Sequence, residues 1–432
     1  MAFWDTVLNA SPNREPAYGR RLLPSIIDNN ANLCADHACF SIPRSTQLQQ
    51  GFRNISWRMY ANAINRTAHF IEKEIGRSSC FETVMYLGLP DVRVFIVLVA
   101  LIKTGHKVLF TSYNCSLAAQ LGLIKQTDCT ILLYTGGNLI ADVADIVESS
   151  RMESVCLPEL HQLLSDSSVE PYPYAKTFEE AKLDPCFILS TSTPTGTVKP
   201  VIWTHWSIST TDRHHLVSPL EGRPTLWASV FDTRKRNYCG WPLYGAGICT
   251  GLLEACFNET TVVMGPPQPP TAEVFIDILE HGGIDAASCL PKVLETVARR
   301  PSVLEKLNKL KFIACVEGRP LTLDAGDAIS RHTTIYRLVG NAETYAMVQH
   351  ANDREDWSYI CLNPSYNGIE MRPRAGLFEL VYVRESLCAD YQGVFKLHPY
   401  LREFATKDLY SPHPTKPHLW KYEGRPDDSG LL

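Results

Sequence analysis

Four features are missing from this sequence, and each absence removes a class of function. The opening Met1-Ala-Phe-Trp-Asp-Thr6 has no basic region leading into an apolar stretch, so no secretory signal is expected. The longest apolar run, Val94 to Ile102, is closed by Arg93 and Lys103 and reaches about half of the roughly 20 residues that span a bilayer. It reads as a core element, and no membrane partner is expected. Lysine and arginine are scattered and the net charge is only −5, which argues against a nucleic-acid partner. None of the 14 cysteines falls in a C-x-x-C pair, so a reduced, cytoplasmic setting is expected rather than a disulfide scaffold. Cys34, His37 and Cys39 lie close together but lack the further paired ligands that zinc requires, and they read as loop and core residues.

What remains is an ordinary globular composition, 45% hydrophobic and 20% charged, spread over 432 residues. That is more chain than one compact core holds and implies two or three lobes. Ser56 to Glu74 has helical spacing, with Ser56 as N-cap. Thr83–Gly88 reads as a buried strand, Asp91 opens a helix through Leu101, and Lys107–Phe110 and Thr130–Tyr134 continue as strands, giving a βαβ alternation. Further strands are predicted at Thr225–Val230, Thr261–Met264 and Phe312–Val316, with helices at Thr271–Glu280 and Lys292–Arg299. The fold class is therefore α/β with mainly parallel sheets. From about residue 360 short strands and turns take over, Gly376–Val383 being the strongest.

The stretch that carries chemistry is Leu189-Ser-Thr-Ser-Thr-Pro-Thr-Gly-Thr-Val-Lys-Pro200. The apolar strand Cys186–Leu189 runs directly into hydroxyl residues, a glycine and a lysine. Successive backbone N–H groups in a turn cradle an anion, hydroxyls add donors, and lysine adds a point charge. The segment resembles the phosphate loop T-S-G-S-T-G-x-P-K of the adenylate-forming enzymes, the superfamily of acyl-CoA synthetases, luciferases and peptide-synthetase adenylation domains. Thr191, Ser192, Thr195, Gly196 and Lys199 match, whereas Thr193 and Pro194 replace a Gly and a hydroxyl residue. Those changes restrict the backbone and remove an N–H donor.

Two further motifs resemble the same family. Gly340-Asn-Ala-Glu343 is similar to G-x-T-E, with Ala342 where Thr is usual, and Thr406-Lys-Asp-Leu409 to T-G-D-L. Ile102 to Phe110 and the run from Ser411 to Asp428 resemble fungal peptide-synthetase-like carboxylate reductases most. The resemblance implies an adenylate-forming N-terminal core of two α/β lobes and a smaller β-rich subdomain: 1–185, 186–365 with the phosphate loop and G-x-A-E, 366–425, and a hinge at 426–432. Beyond that hinge, family members carry a C-terminal lobe of about a hundred residues, which is absent from this sequence.

By the same resemblance the site residues are assigned as follows. Lys199 and the Thr191–Gly196 loop hold phosphates, Glu343 holds Mg²⁺, and Gly318, Gly340 and Ala342 approach the nucleotide. Asp408 takes the ribose hydroxyls, and Arg425 contacts nucleotide. Phe231, Trp241, Tyr244, Gly245 and Val339 form the acid pocket, where Gly245 stands in place of a His and enlarges the space. The implied reactants are ATP, Mg²⁺ and an aryl or small carboxylic acid, with acyl transfer to the phosphopantetheine thiol of a carrier-protein domain and reduction by NADPH in a longer protein. Two alternatives stand beside this one. A catalytically silent binding domain is favoured by the drifted loop, and a free-standing acyl-CoA ligase fits the Ser411–Asp428 run less well. His413 and His418, flanked by prolines, read as a surface turn.

Overall fold

The computed structural model describes residues 18–111, 115–137, 139–192, 198–230, 236–316 and 320–426, with side chains except at Thr191, Ser192 and Val316. Three sheets organise them. The first runs in the order Glu153–Cys156, Ile131–Tyr134, Thr83–Leu87, Lys107–Phe110, Pro185–Ser192, Val198–Thr204. It is parallel except for its last strand, which folds back antiparallel on Pro185–Ser192. The second has the order Thr334–Leu338, Phe312–Val316, Ala286–Cys289, Arg236–Gly240, Thr261–Met264, Ala38–Pro43, Phe52–Ser56, again parallel up to the last strand. The third is antiparallel and holds Gln349–His350, Ile360–Leu362, Leu419–Gly424, Glu403–Pro412, Leu377–Val383 and Ile369–Arg374.

The helix Arg93–Lys103 is buried on every side, as a helix apolar all round must be. Its start is fixed by Asp91, whose Oδ1 accepts the Arg93 N–H at 2.9 Å and whose carboxylate pairs with the Arg93 guanidinium at 2.6 Å. One hydrophobic core joins this helix, the helix Trp57–Ile75 and strands of both parallel sheets. Ser56 caps Trp57–Ile75, its side chain accepting from Met59 N–H.

Sheet membership crosses residue 185 in both directions. The hairpin Ala38–Pro43/Phe52–Ser56 joins the second sheet, because Phe40 and Ser41 pair with Val262 and Val263. The strand leading to the phosphate loop joins the first, pairing with Lys107–Phe110. The antiparallel sheet also begins earlier than residue 366, at Gln349. The strand predicted at Thr225–Val230 is instead a wide helical turn, Leu226–Val230, in which Val230 N–H reaches Thr225 O at 3.3 Å. A short apolar run does not distinguish strand from helix by periodicity. Packing decides here, because Leu226 and Trp227 are buried against Phe312 and Leu338.

Candidate active site

The cleft opens where the first sheet's phosphate strand and the carboxyl end of Thr334–Leu338 meet, the usual place for a ligand in an open α/β sheet. It encloses about 540 Å³ and is lined by Lys199, Tyr244, Gly245, Val339, Gly340, Ala342, Glu343 and Arg425, all assigned to the site from sequence. Thr195, Gly196, Phe231 and Gly318 lie outside the described residues, and Thr191 and Ser192 are described as backbone alone, Thr191 opposite Lys199 in the ladder. Lys199 is exposed to the cleft.

Further along its strand, Trp203 is buried and donates Nε1–H to Ala342 O at 3.0 Å. It also meets the Tyr345 ring edge-on, with centroids 4.4 Å apart. The Tyr345 hydroxyl lies 2.8 Å from Ser207 Oγ. The strand Val198–Thr204 that leaves the phosphate loop and the G-x-A-E loop are therefore fastened to each other.

That loop is a two-rung hairpin, Gly340–Asn341 against Tyr345–Ala346. A Cβ on Gly340 would lie 2.2 Å from Tyr345 O, so glycine is required by close approach. Between the rungs, Asn341 Oδ1 accepts from Glu343 N–H at 2.9 Å and Thr344 N–H at 2.8 Å. Glu343 is left with its carboxylate one-third exposed and 3.5 Å from His398 Nε2. Tyr345 holds φ at +61°, a backbone conformation costly for a bulky residue. Burial pushes its hydroxyl up to about 12.

Asp408 stands on an irregularity in the antiparallel sheet. Register between Leu377–Val383 and Glu403–Pro412 shifts between Glu379 and Val381, leaving Thr406–Asp408 bulged. Lys407 takes φ +65°, its N–H bonded to Glu379 Oε1, and Thr406 Oγ1 accepts the Asp408 N–H at 3.1 Å. Where the resembling motif has Gly, this chain makes a lysine adopt the left-handed conformation that glycine takes freely. Arg425 Nε donates to Asp408 Oδ1 at 2.7 Å. The pair borders a side recess of about 220 Å³, walled by Tyr382, Tyr410 and Tyr422, that shares Val339, Gly340, Asn341 and Arg425 with the cleft.

Trp241 does not join the others. It is buried in a separate recess of about 130 Å³ with Tyr238, Met264 and Pro266, connected to the cleft through Tyr244 alone among the assigned residues. The aromatic wall is instead Trp227, which the strand prediction concealed. Cys249, at the start of the helical turn Ile248–Leu253, adds a thiol that burial pushes up to about 12 and so keeps protonated. Tyr244 faces the cleft with its hydroxyl donated to Gly88 O. Asn341 and His398 were also not assigned from sequence. An Asn opening a short turn, where its side chain can accept from the N–H two residues on, was a readable signal for the first, but nothing local marks the second. His413 Nδ1 accepts from Thr415 and Lys416 N–H, which makes that segment a structured turn. Among the described residues the acidic cluster Asp353, Glu355 and Asp356 has the spacing of a cation site, but Lys416 Nζ sits within 2.5–3.7 Å of all three. No described helix is long and apolar enough to cross a membrane.

Comparison with known proteins gives a consistent outcome. Residues 29–367 match the family model of the AMP-binding enzymes. The chain is 32% identical over 423 residues to an isocyanide synthase–NRPS hybrid of Aspergillus fumigatus, covering 97% of this chain and 27% of that protein. It is 30% identical over 427 residues to a carboxylic acid reductase of Neurospora crassa, covering 97% of this chain and 40% of that protein. The chain thus spans well under half the length of these relatives. In fold it is similar to the N-terminal subdomain of Klebsiella oxytoca NpsA in complex with 3-hydroxybenzoyl-AMSN, with TM-score 0.64, 16% identity, 93% of this chain and 99% of that one. It is similar also to the N-terminal domain of FACL13 from Mycobacterium tuberculosis, with TM-score 0.70, 13% identity, 93% of this chain and all of that one.

Proposed function

The chain belongs to the AMP-binding enzyme family, and from that premise we propose that it activates a carboxylic acid, aryl or small, with ATP to give acyl-AMP and pyrophosphate. The observation that carries this reading is the meeting in one cleft of Lys199, Glu343 and Arg425, which come from three separated motifs. A carboxylate oxygen attacks the α-phosphorus, the bond from that phosphorus to its bridging oxygen breaks, and pyrophosphate leaves. No side chain forms a covalent bond, so the protein's contribution is positioning and charge neutralisation.

Lys199 lies at the start of the strand Val198–Thr204 that leaves the phosphate loop, and offsets charge on the departing phosphates. Asp408 accepts the two ribose hydroxyls, and Arg425 holds that carboxylate in place. Glu343 would hold Mg²⁺, which supplies neutralisation of the phosphate charge when bound. A single hard oxygen donor beside a phosphate site fits a cation that keeps several waters and shares substrate oxygens. Val339, Trp227, Tyr244 and the space above Gly245 receive the acid. The lining there is aromatic and apolar, which suits an aryl or compact aliphatic group. In a longer protein, a carrier domain's phosphopantetheine thiol would take the acyl group and an NADPH-dependent domain would reduce it. The similarity to a carboxylic acid reductase supports this order.

The test is calorimetric titration with ATP·Mg²⁺ beside Asp408→Ala. Losing two hydroxyl-to-carboxylate bonds costs about 3 kcal/mol or more, roughly a hundredfold in affinity. Equal binding by the two proteins, or no binding by either at millimolar ATP, refutes the reading and favours a silent domain.

A further inference from the structure

We propose that Asn341 is a positioning residue for the cleft's cation-binding carboxylate. The inference rests on the nucleotide reading above and goes beyond it, since the variable position of the G-x-A-E motif carries no role there. Ala342 supplies no side-chain oxygen that could brace the turn, and its carbonyl is taken by Trp203. The rungs on either side are fixed by Gly340 and Tyr345, but Glu343 lies between them, in the part of the loop that no ladder bond holds. Asn341 is what orders it. One side-chain oxygen accepts both the Glu343 and Thr344 N–H groups, at 2.9 and 2.8 Å. Two backbone donors converging on one atom require the oxygen, not the NH₂, to face them, which settles the orientation of the amide.

The two bonds restrain φ and ψ at Glu343 and so the direction in which its side chain leaves the backbone, and the carboxylate lines the cleft 3.5 Å from His398 Nε2. Without the Asn341 oxygen, Glu343 must be ordered each time a cation binds. Asn341 touches neither the cation nor the acid in this account and acts through Glu343.

The experiment compares the parent, Asn341→Ala and Asn341→Ser. Serine retains a neutral acceptor able to make the same turn more weakly. Two quantities are read: the Mg²⁺ concentration at half-maximal ATP binding, and amide hydrogen exchange at Glu343 and Thr344. Asn341→Ala is expected to raise the Mg²⁺ midpoint about tenfold, equivalent to about 1.4 kcal/mol, and to speed exchange at both amides. Asn341→Ser is expected to fall between parent and Ala in both readouts, while ATP binding without Mg²⁺ stays the same in all three. An unchanged Mg²⁺ midpoint in Asn341→Ala overturns the inference, as does unchanged exchange. If the parent binds ATP·Mg²⁺ while the variants lose metal-free ATP binding equally, Asn341 is a general scaffold residue and the inference is also wrong. Failure of the parent to bind ATP·Mg²⁺ at all refutes the nucleotide reading, and the metal role of Asn341 with it.

Discussion

Acidification should loosen this site from behind, through two buried histidines. His205 follows directly on the strand Val198–Thr204, 2% exposed, with Nε2 3.1 Å from the Tyr174 hydroxyl. His214 is 1% exposed and meets the cleft-wall indole of Trp227 edge-on, with centroids 6.4 Å apart. Burial pushes both imidazoles down, from 6.5 to about 3, with Lys176 adding to the effect at His205 and His215 at His214. The unfolded chain takes up these protons near pH 6.5 while the native state resists them until about pH 3. Stability is therefore fully present above pH 6.5 and is lost as pH falls toward 3.

Between pH 7 and pH 5 each histidine costs about 2 kcal/mol, about 4 kcal/mol for the pair. The assay is urea unfolding at both pH values for the parent, His205→Gln and His214→Gln. Carboxylates titrate equally in all three, so the difference isolates the histidines. Each variant should lose about 2 kcal/mol less than the parent on acidification. A variant that loses as much as the parent would show that its imidazole is protonated in the native state, and the burial account would be wrong.

Other substitutions test the remaining geometry. Lys407→Gly removes a left-handed lysine from the bulge and should stabilise the protein by about 1 kcal/mol in urea unfolding, with ATP affinity unchanged, because the Asp408 backbone is held by Thr406. Gly340→Ala drives a methyl into Tyr345 O and should cost more than about 3 kcal/mol, read as a lowered melting temperature and lost ATP binding. Arg425→Ala should weaken ATP binding by about tenfold or more, because Asp408 loses a charged hydrogen-bond partner. A Cβ at Gly245 meets nothing within 4 Å, so Gly245→Val should leave the melting temperature unchanged while shifting acid preference in pyrophosphate-exchange assays toward smaller acids. An unchanged preference would place the acid elsewhere.

Legibility followed the range of the interactions involved. The phosphate strand, the helix capped by Ser56 and the α/β alternation are written in local spacing, and they were readable. The partner of Ala38–Pro43 was not, because it lies at Thr261–Met264 and neither segment encodes the other's address. Trp241 and Trp227 show the same limit within the site. Both are buried tryptophans in apolar runs, and only the packing of Leu226–Val230 against Phe312 and Leu338 decides which indole faces the cleft.

Departures from a family pattern behave differently from long-range pairing, because each has a local physical consequence that can be read once the backbone is known. Lys407 stands in a conformation that suits glycine, yet the bulge is held regardless by Glu379 and Thr406. Ala342 lacks a hydroxyl, yet its loop is ordered by the Asn341 side chain one residue earlier. Sequence marked Ala342 as a departure and left Lys407 unremarked, and at both positions neighbouring hydrogen bonds hold the backbone. A motif that has drifted in letters therefore does not imply a site that has drifted in shape, and the binding measurements on Asp408 and Asn341 bear on shape.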